Sequence, residues 1–349
     1  MTYQYERVLT PSVGLRLHLN ENTAGCSPAV IDALHAITCE QAAFYPDYSR
    51  ALTTCAAYLG VDERQLALTN GLDEGILAAS VAALRGSSET TPFEAVVIVP
   101  AFDMYAACAD AAGGRVVEVP SGDDFAFPLE QLLGAITSRT RIVFLTNPNN
   151  PTGLSVPREA ILTVADAAPH ATIFLDEAYA DFSRTTLIGD PALPTRPNVL
   201  IGRTFAKAHG LAALRAGALV GAEHMISRIR KVIPPYSLNL AAAVALPAAL
   251  EDTRHHRDYL RQVAESKALL YAMFDRLGIK YWQSEANFVL ADFGKAAPDV
   301  LEGLRTRRVY VRDRSGDFGC KNCIRITAGI VEHTRQCIEA IEEVLCGAQ

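Results

Sequence analysis

The sequence contains no apolar run close to the roughly 20 residues that a bilayer-spanning helix needs. Its first residues, M-T-Y-Q-Y-E-R, lack the basic-then-apolar layout of a secretion signal. Basic residues are not in excess, since the formal net charge is −7 and the pI is about 5.7. These absences argue against a membrane protein and against a nucleic-acid binder, which needs a basic face. We therefore expect a cytoplasmic protein.

Paired cysteines and complete sets of metal ligands are also missing. The eight cysteines are scattered and form no small secreted framework, so we expect reduced thiols. Cys320-x-x-Cys323 has zinc-type spacing, but no second pair lies near it, and structural zinc takes four ligands. His255 and His256 adjoin on a charged helix, cannot both face one metal, and are expected at the solvated surface. The sequence therefore predicts no metal site.

A dinucleotide motif is the last absence, because no G-x-G-x-x-G follows the first predicted strand. What the sequence does contain is an alternation of helices with apolar runs at 95–99, 141–145, 171–175 and 199–202. Runs without polar alternation predict strands that are buried on both faces. We therefore predict an α/β fold with a mostly parallel sheet and helices on both of its faces.

The pattern changes after residue 221, where helices dominate and three further strands follow. The length of 349 residues suffices for one large domain and a smaller one. We predict a large domain over residues 41–247. A smaller α+β domain would combine residues 1–40 with residues 248–349.

One lysine stands out among small and apolar neighbours. Lys207 lies between Ala206 and Ala208, shortly after the predicted strand at 199–202. Desolvation at such a position lowers the pKa of an amine, which a lysine needs in order to attack a carbonyl carbon as a free base. The alternative is a lysine whose ammonium group reaches water while its stem stays buried.

Other candidate side chains follow the predicted strands at their carboxyl ends. Gly71 begins a turn into a helix whose free N–H groups favour an anion, with an ordinary strand-to-helix turn as the alternative. Phe102, Asn150 and Asp176 each follow a predicted strand. Because ligands of open α/β sheets bind at the carboxyl ends of the strands, we expect these groups to share one site.

These groups match the requirements of pyridoxal 5'-phosphate one by one. The phosphate needs N–H groups and cations, and Arg215 is a candidate for the latter. The ring needs a flat partner such as Phe102, and its nitrogen needs a carboxylate such as Asp176 to stay protonated. The aldehyde needs an amine, for which Lys207 is the candidate.

At these residues the sequence resembles the fold-type I pyridoxal-phosphate-dependent aminotransferases of class I and II, most closely the histidinol-phosphate aminotransferases. The resemblance runs from about residue 17 to the final helix. Its most specific motifs are N-P-N-N-P-T-G at 147–153, D-E-A-Y at 176–179, the block at 204–215 and C-I-R-I-T at 323–327. The resemblance implies an aspartate-aminotransferase-like fold with pyridoxal 5'-phosphate as the cofactor.

The resemblance also implies roles for individual residues. Lys207 would bind the aldehyde of the cofactor and carry a proton, Asp176 would pair with the ring nitrogen, and Tyr179 would bond the ring oxygen together with Asn150. Further cofactor contacts would come from Gly71, Leu72, Asp73, Phe102, Thr204 and Arg215.

On the substrate side, the resemblance implies two arginines. Arg325 resembles the arginine that holds the α-carboxylate of glutamate through its planar guanidinium. Arg312 matches the position that takes a substrate phosphate, with a surface arginine as the alternative. Asn22 belongs to the segment at 20–22 that borders the pocket. Tyr45 resembles the tyrosine that reaches the cofactor phosphate of a neighbouring subunit, which implies a homodimer.

These positions imply an enzyme of histidine biosynthesis that acts on a small-molecule amino donor and a 2-oxo acid. The expected reaction converts L-histidinol phosphate and 2-oxoglutarate into imidazole acetol phosphate and L-glutamate. The alternatives are an aromatic or other L-amino-acid aminotransferase and an amino-acid-phosphate decarboxylase of the same fold. A non-catalytic relative that binds the cofactor is a further alternative, but the intact Lys207, Asp176 and Arg325 argue against it.

The sequence departs from the family pattern at three positions. Ala206 and Leu72 stand where serine is common, and each lost hydroxyl could weaken cofactor binding by about 1 kcal/mol. His209 stands where an apolar aromatic residue is usual, and we expect it to serve in packing.

Overall fold

The computed structural model describes residues 11–88 and 90–347. Its strands are β1 (Leu15–Arg16), β2 (Leu66–Asn70), β3 (Glu94–Val99), β4 (Arg115–Pro120), β5 (Thr140–Thr146), β6 (Thr172–Asp176), β7 (Val199–Thr204), β8 (Ala216–Gly221), β9 (Lys280–Tyr281), β10 (Phe288–Asp292), β11 (Val309–Tyr310), β12 (Arg312–Asp313) and β13 (Cys323–Thr327). Its α-helices are α1 (Pro28–His35), α2 (Cys39–Ala43), α3 (Ser49–Leu59), α4 (Leu72–Leu84), α5 (Met104–Ala111), α6 (Leu129–Ala135), α7 (Arg158–Ala167), α8 (Ala180–Ser183), α9 (Glu223–Arg230), α10 (Leu240–Glu251), α11 (Thr253–Leu277), α12 (Ala297–Thr306) and α13 (Val331–Gly347).

Seven strands form the central sheet in the order β2-β8-β7-β6-β5-β3-β4, and within it only β8 runs antiparallel to its neighbours. The side chains of β5 alternate between two apolar cores. Val143 and Leu145 lie in one core, whereas Ile142 and Phe144 lie in the other. A strand whose side chains enter two cores is buried on both faces, as the unbroken apolar runs predicted. The α/β fold predicted from the sequence is confirmed.

A smaller unit follows the sheet in the chain. Its strands pair antiparallel in the order β12-β13-β10-β9, and residues of α11, α12 and α13 pack with them in a third apolar core. Leu17 from the N-terminal segment belongs to this third core, whereas Val30 on α1 belongs to the first core of the central sheet. The exact domain boundaries at 40 and 247 stay a prediction.

The register of the sheet positions the candidate residues. Thr146 at the end of β5 pairs with Asp176 at the end of β6, and Asp176 pairs with Gly202 on β7. Parallel strands that end together place their following loops side by side, so the loops bearing Asn150 and Lys207 flank Asp176. Among the helices in the described part of the chain, none combines the length and apolar character required to span a membrane.

Candidate active site

A cavity of about 490 Å³ lies at this edge of the sheet, with the β12–β13 hairpin and the segment at 19–21 forming part of its wall. Eleven residues that the sequence singled out line this cavity: Leu72, Asp73, Phe102, Asn150, Asp176, Tyr179, Thr204, Lys207, Arg215, Arg312 and Arg325. Three others, Gly71, Asn22 and Tyr45, are not part of its lining.

Lys207 lies in the loop after β7 with its side chain largely enclosed. Its Nζ donates a hydrogen bond to the carbonyl oxygen of Leu19 at 2.9 Å. Burial, assisted by the neighbouring positive charge of Arg325, lowers the pKa of Lys207 to about 8. A useful share of free amine is therefore present near neutral pH, which is the form that attacks a carbonyl carbon.

Asp176 is buried and held by two hydrogen bonds. Its Oδ2 accepts the hydroxyl proton of Tyr105 at 2.7 Å, and its Oδ1 accepts the N–H of Ala178 at 2.8 Å. The Tyr105 oxygen in turn accepts a hydrogen bond from Thr146 Oγ1 at 2.9 Å. Burial raises the pKa of Asp176 to about 6, although these hydrogen bonds favour the carboxylate. A cationic N–H partner in the cavity would offset this unfavourable burial.

A helix N-terminus and an arginine form an anion cradle at one end of the cavity. Gly71 caps α4, so the N–H groups of its first turn point outward from the helix. Arg215 bonds Asp73 Oδ2 at 2.7 Å and lies so close to Gly71 that a Cβ at position 71 would collide with its guanidinium. The φ of 79° and ψ of 165° at position 71 are a backbone conformation that residues with a Cβ rarely adopt, so this position favours glycine.

The two lost hydroxyls of the family pattern lie in the same wall. Leu72 and Ala206 line the cavity with apolar side chains, and Thr204 is the last residue of β7, two residues before Ala206. Thr204 Oγ1 accepts the N–H of Ala206 at 3.2 Å, so this hydroxyl is oriented by the backbone of the lysine loop. Whether the missing hydroxyls weaken anion binding stays a prediction.

Arg325 dominates the opposite wall. It is buried, donates to the Asn150 side-chain oxygen, donates to the carbonyl of His18 at 2.8 Å, and lies over the ring of Phe288 at 5.2 Å. Burial lowers the pKa of Arg325 to about 10, so it remains a cation at neutral pH. These contacts fix the plane of the guanidinium, which suits the recognition of a carboxylate.

Arg312 lies directly opposite Arg325 in the β12–β13 register. Arg314, which the sequence did not single out, also lines the cavity, is buried, and forms an ion pair with Asp317. Counted over the lining residues, six cationic side chains face four carboxylates. The cavity therefore favours a ligand with more than one negative charge.

Tyr179 follows β6 and is buried against the ring of Phe288. Its hydroxyl accepts a hydrogen bond from Asn20 Nδ2 at 3.0 Å, and burial raises its pKa. The neighbouring Asn22 turns away from the cavity, where its Nδ2 donates to the carbonyl of Ala208 at 3.0 Å. Asn22 therefore braces the lysine loop, and a direct substrate contact from it stays a prediction.

Tyr45 lies at the molecular surface. Its side chain is 78% exposed and stacks on Tyr236, which is 53% exposed, with ring centroids 4.1 Å apart. Two adjacent exposed aromatic rings are unusual for a free surface and suit an interface.

The sequence did not single out Tyr105 and Arg314 as residues of the site, and from the segment at 20–22 it singled out Asn22 and not Asn20. Asn20 and Arg314 each had a signal, because Asn20 belongs to the segment at 20–22 and Arg314 follows Arg312 by two residues, which places both arginines on one side of an extended chain. Tyr105 gave no such signal, since it lies inside a helix that reads as apolar packing.

Comparisons with known proteins identify the family of the chain. The pattern of the family "Aminotransferase class I and II" matches residues 13–341. The chain belongs to this family. It is 34% identical to a histidinol-phosphate aminotransferase from a Geobacillus species over 336 residues, which covers 95% of this chain and 90% of that protein.

Solved structures give the same result for the fold. The structure of histidinol-phosphate aminotransferase from Sinorhizobium meliloti in complex with pyridoxal-5'-phosphate matches with a TM-score of 0.83 and 25% identity, covering 97% of this chain and 92% of that one. Aspartate aminotransferase from Thermus thermophilus with maleate matches with a TM-score of 0.79 and 23% identity, covering 95% and 91% of the two chains. The family and fold that the motifs implied are confirmed.

Proposed function

We propose that this aminotransferase catalyses the pyridoxal-phosphate-dependent exchange of an amino group between L-histidinol phosphate and 2-oxoglutarate, in histidine biosynthesis. The products are imidazole acetol phosphate and L-glutamate. The observation that carries the proposal is a single cavity that holds a buried amine, a buried carboxylate and two cross-strand arginines: Lys207, Asp176, Arg312 and Arg325.

The residues present fit pyridoxal 5'-phosphate. The cradle at Gly71 and Arg215 has the close approach and the positive charge that a phosphate needs. Asp176 is a carboxylate whose pKa is raised by burial, and the protonated ring nitrogen would offset that cost. When bound, the cofactor supplies an electron sink for negative charge at the substrate Cα.

Each candidate side chain of the cavity is assigned a separate role. Lys207 Nζ is the amine that would hold the cofactor through its aldehyde, with loss of water, and it would carry a proton at the substrate Cα. Asp176 would hold the protonated ring nitrogen, Phe102 would cover the ring, and Tyr179 and Asn150 would donate hydrogen bonds to its ring oxygen; all four line the cavity. This assignment uses residues that line one cavity and needs no further group from this chain.

The two substrates place different anions in the same cavity. L-Glutamate carries an α-carboxylate, for which the fixed guanidinium of Arg325 is suited. L-Histidinol phosphate has no carboxylate but has a phosphate, for which we assign Arg312. One cavity can serve both half-reactions in turn because Arg312 and Arg325 face each other across the hairpin.

Arg312→Gln and Arg325→Lys are expected to separate the two half-reactions. Losing a desolvated charge pair costs about 2–5 kcal/mol, so Arg312→Gln should raise KM for histidinol phosphate by at least about 30-fold and leave the glutamate half-reaction within about threefold. Arg325→Lys should impair glutamate and spare histidinol phosphate, because a lysine cannot form the planar fork. Each donor is added singly, and conversion of the cofactor to its amine form is followed by visible absorbance.

The donor panel also includes phenylalanine. Rapid conversion by phenylalanine and none by histidinol phosphate would reject the proposed substrate and leave Arg312 without a role in phosphate binding. Release of carbon dioxide would instead indicate a decarboxylase. Equal effects of both variants on both donors would refute the assignment of separate anion sites.

Tyr105→Phe is expected to weaken cofactor binding by about 10- to 100-fold. The variant removes one hydrogen bond to Asp176, and a hydrogen bond to a charged group contributes roughly 1.5–3 kcal/mol. It keeps the ring, which stacks on Phe144 with centroids 5.0 Å apart. Titration of the cofactor-free protein with pyridoxal phosphate measures the dissociation constant.

Thr146→Val is the matched control, because Thr146 bonds Tyr105 and not Asp176. Thr146→Val should weaken cofactor binding less than Tyr105→Phe does. Unchanged cofactor affinity in Tyr105→Phe would show that Asp176 does not depend on this hydroxyl.

We further propose a homodimer in which Tyr45 reaches the cofactor phosphate of the partner, supported by the exposure of the Tyr45–Tyr236 stack. A cytoplasmic location is supported by the eight cysteines, all of which are free thiols. No role in binding nucleic acid or membranes is proposed.

A further inference from the structure

Behind the cavity wall, a buried polar cluster connects the lysine loop to the smaller unit. It consists of His209, His256, Asp181, Tyr58 and Arg203. His209 lies two residues after Lys207, Asp181 lies two residues after Tyr179, and His256 lies near the start of α11. The cluster therefore joins the two backbone segments that carry candidate catalytic residues to the longest helix of the smaller unit.

The two histidine rings are stacked. Their centroids are 4.4 Å apart and their planes differ by 5°. His209 is buried, as its predicted packing role requires, but His256 is not the solvated residue that the sequence predicted. Its side chain is 15% exposed and its Nε2 faces Asp181 Oδ1 at 3.5 Å. The sequence did not predict this contact, because the charged residues of α11 do not reveal which side of the helix meets the sheet.

The ligand-type atoms of Asp181, His209 and His256 all lie within 4.8 Å of one another. A shared metal is nevertheless disfavoured by their orientation. The nitrogen lone pairs lie in the ring planes, and two parallel stacked rings direct them side by side instead of toward one point. Arg203 also donates to Asp181 Oδ2 at 3.2 Å, which places a cation where a metal ion would bind.

Hydrogen bonds, and not a metal ion, connect the side chains of the cluster and determine where their protons lie. Tyr58 donates its single hydroxyl proton to Asp181 Oδ1 at 2.9 Å. The Tyr58 oxygen lies 3.2 Å from His209 Nε2, and because Tyr58 donates its proton to Asp181, we assign the hydrogen of this contact to Nε2. Neutral His209 thus completes a chain that runs from the lysine loop through Tyr58 to the carboxylate of α8.

We propose that the stacked pair of His209 and His256 is a proton-sensitive latch that positions Lys207 and Tyr179 against helix α11. In the closed form of this latch, His209 is neutral, His256 stacks on its ring, and His256 Nε2 faces Asp181 Oδ1. A proton added to His209 places positive charge on a ring stacked 4.4 Å from His256 and close to Arg203, which opposes the stacking. Acid therefore loosens the lysine loop.

Several charged groups face His209. Asp181 and the carbonyl of Ala249 favour a proton on it, whereas burial, His256 and Arg203 oppose one. Arg203 is itself held by Asp181 and by the buried Glu177, with Tyr58 and the thiol of Cys55 beside it. Burial is the largest effect, and the pKa of His209 falls from 6.5 to about 4.

The lowered pKa of His209 determines in which direction the stability of the fold changes with pH. The folded state holds the proton of His209 less tightly than the unfolded state does, so its contribution is complete above pH 6.5 and is lost as the pH falls toward 4. Asp176 acts in the opposite direction in this window, because its pKa is raised to about 6. The test therefore compares the Tm of the wild type with that of a variant that retains Asp176. The effect of Asp176 is then the same in both proteins and cancels.

The first test uses the cofactor-free protein and His209→Phe, which keeps an aromatic ring and removes the proton. Between pH 8 and pH 5 the Tm of the wild type should fall about 3 °C further than that of the variant. Parallel losses in the two proteins would overturn the proposal. This readout does not depend on any substrate.

The second test compares His256→Gln with His255→Gln on the same helix. The loaded protein is titrated with acid and base while its visible absorbance is followed, which reports on the surroundings of Lys207. His256→Gln should change the apparent proton dissociation constant at least about twofold, and His255→Gln should not. Identical behaviour of the two variants would refute the latch.

This second readout rests on the proposed role of Lys207, whereas the first does not. A protein that retains no absorbance band of pyridoxal phosphate after unbound cofactor is removed would refute the proposed function. The thermal comparison of His209→Phe would still decide the latch.

Discussion

Replacing Lys207 with alanine is expected to lower kcat by about four orders of magnitude or more. The variant loses the amine that binds the aldehyde and the group that carries the proton at Cα. Its fold should persist, because removing a buried amine whose pKa has fallen to about 8 removes an unfavourable desolvation. Single-turnover conversion with each donor measures the loss, and the Tm measures the fold.

Lys267→Ala is the matched control for this experiment. Lys267 is also partly buried, its pKa is also lowered by burial, and its Nζ bonds the carbonyl of Ser284 at 2.5 Å. It is not part of the cavity lining. Lys267→Ala should retain kcat within a few-fold. A Lys207→Ala protein that still turns over at a comparable rate would remove the central assignment of the proposed function.

Asp176→Asn is expected to lower kcat/KM by about 10²–10³-fold, and at the same time to raise the Tm of the cofactor-free protein at pH 7. Activity falls because an amide cannot stabilise a protonated ring nitrogen, and the lost charge pairing corresponds to roughly 2–5 kcal/mol. Stability rises because the pKa of Asp176, about 6 in the fold, exceeds its ordinary value. Ionisation of Asp176 at neutral pH therefore costs up to about 3 kcal/mol, which the neutral amide avoids.

The sign can be checked against pH. A carboxyl group with a raised pKa makes the fold gain stability as the pH falls from about 6 toward 4, so the advantage of Asp176→Asn should shrink over that range. Asp103→Asn provides the control, because Asp103 lines the same cavity but is exposed. It should change kcat/KM by no more than about threefold. A lower Tm in Asp176→Asn would contradict the assigned cost of burying this carboxylate.

The site shows which features can be derived from a sequence. Asp176, Asn150 and Lys207 were predicted to meet because each follows a strand, and strands of a parallel sheet end at one edge. Gly71 was predictable for the same reason, and its φ of 79° gives the physical reason for glycine at this position. These predictions depend only on local patterns and on a general rule for sheets.

Other contacts could not be derived in this way. Tyr105 supports Asp176 from a helix that reads as ordinary packing, and Asn20 reaches Tyr179 across 159 positions of the chain. Asn22, two residues from Asn20, turns toward Ala208 instead of the cavity. Asn20 has a φ of 56°, so the segment is not a regular strand and the alternation of side chains along a strand does not predict which of its residues meets the site.

The sequence by itself determined the family, the α/β fold, the candidate amine and carboxylate, and the two arginines of the β12–β13 hairpin, because periodicity and motif spacing are local properties of the chain. The tertiary structure alone decided the pKa values of Lys207 and Asp176, the support from Tyr105, and the contact of His209 with His256. The reason is that burial, charge proximity and ring stacking depend on groups far apart in sequence.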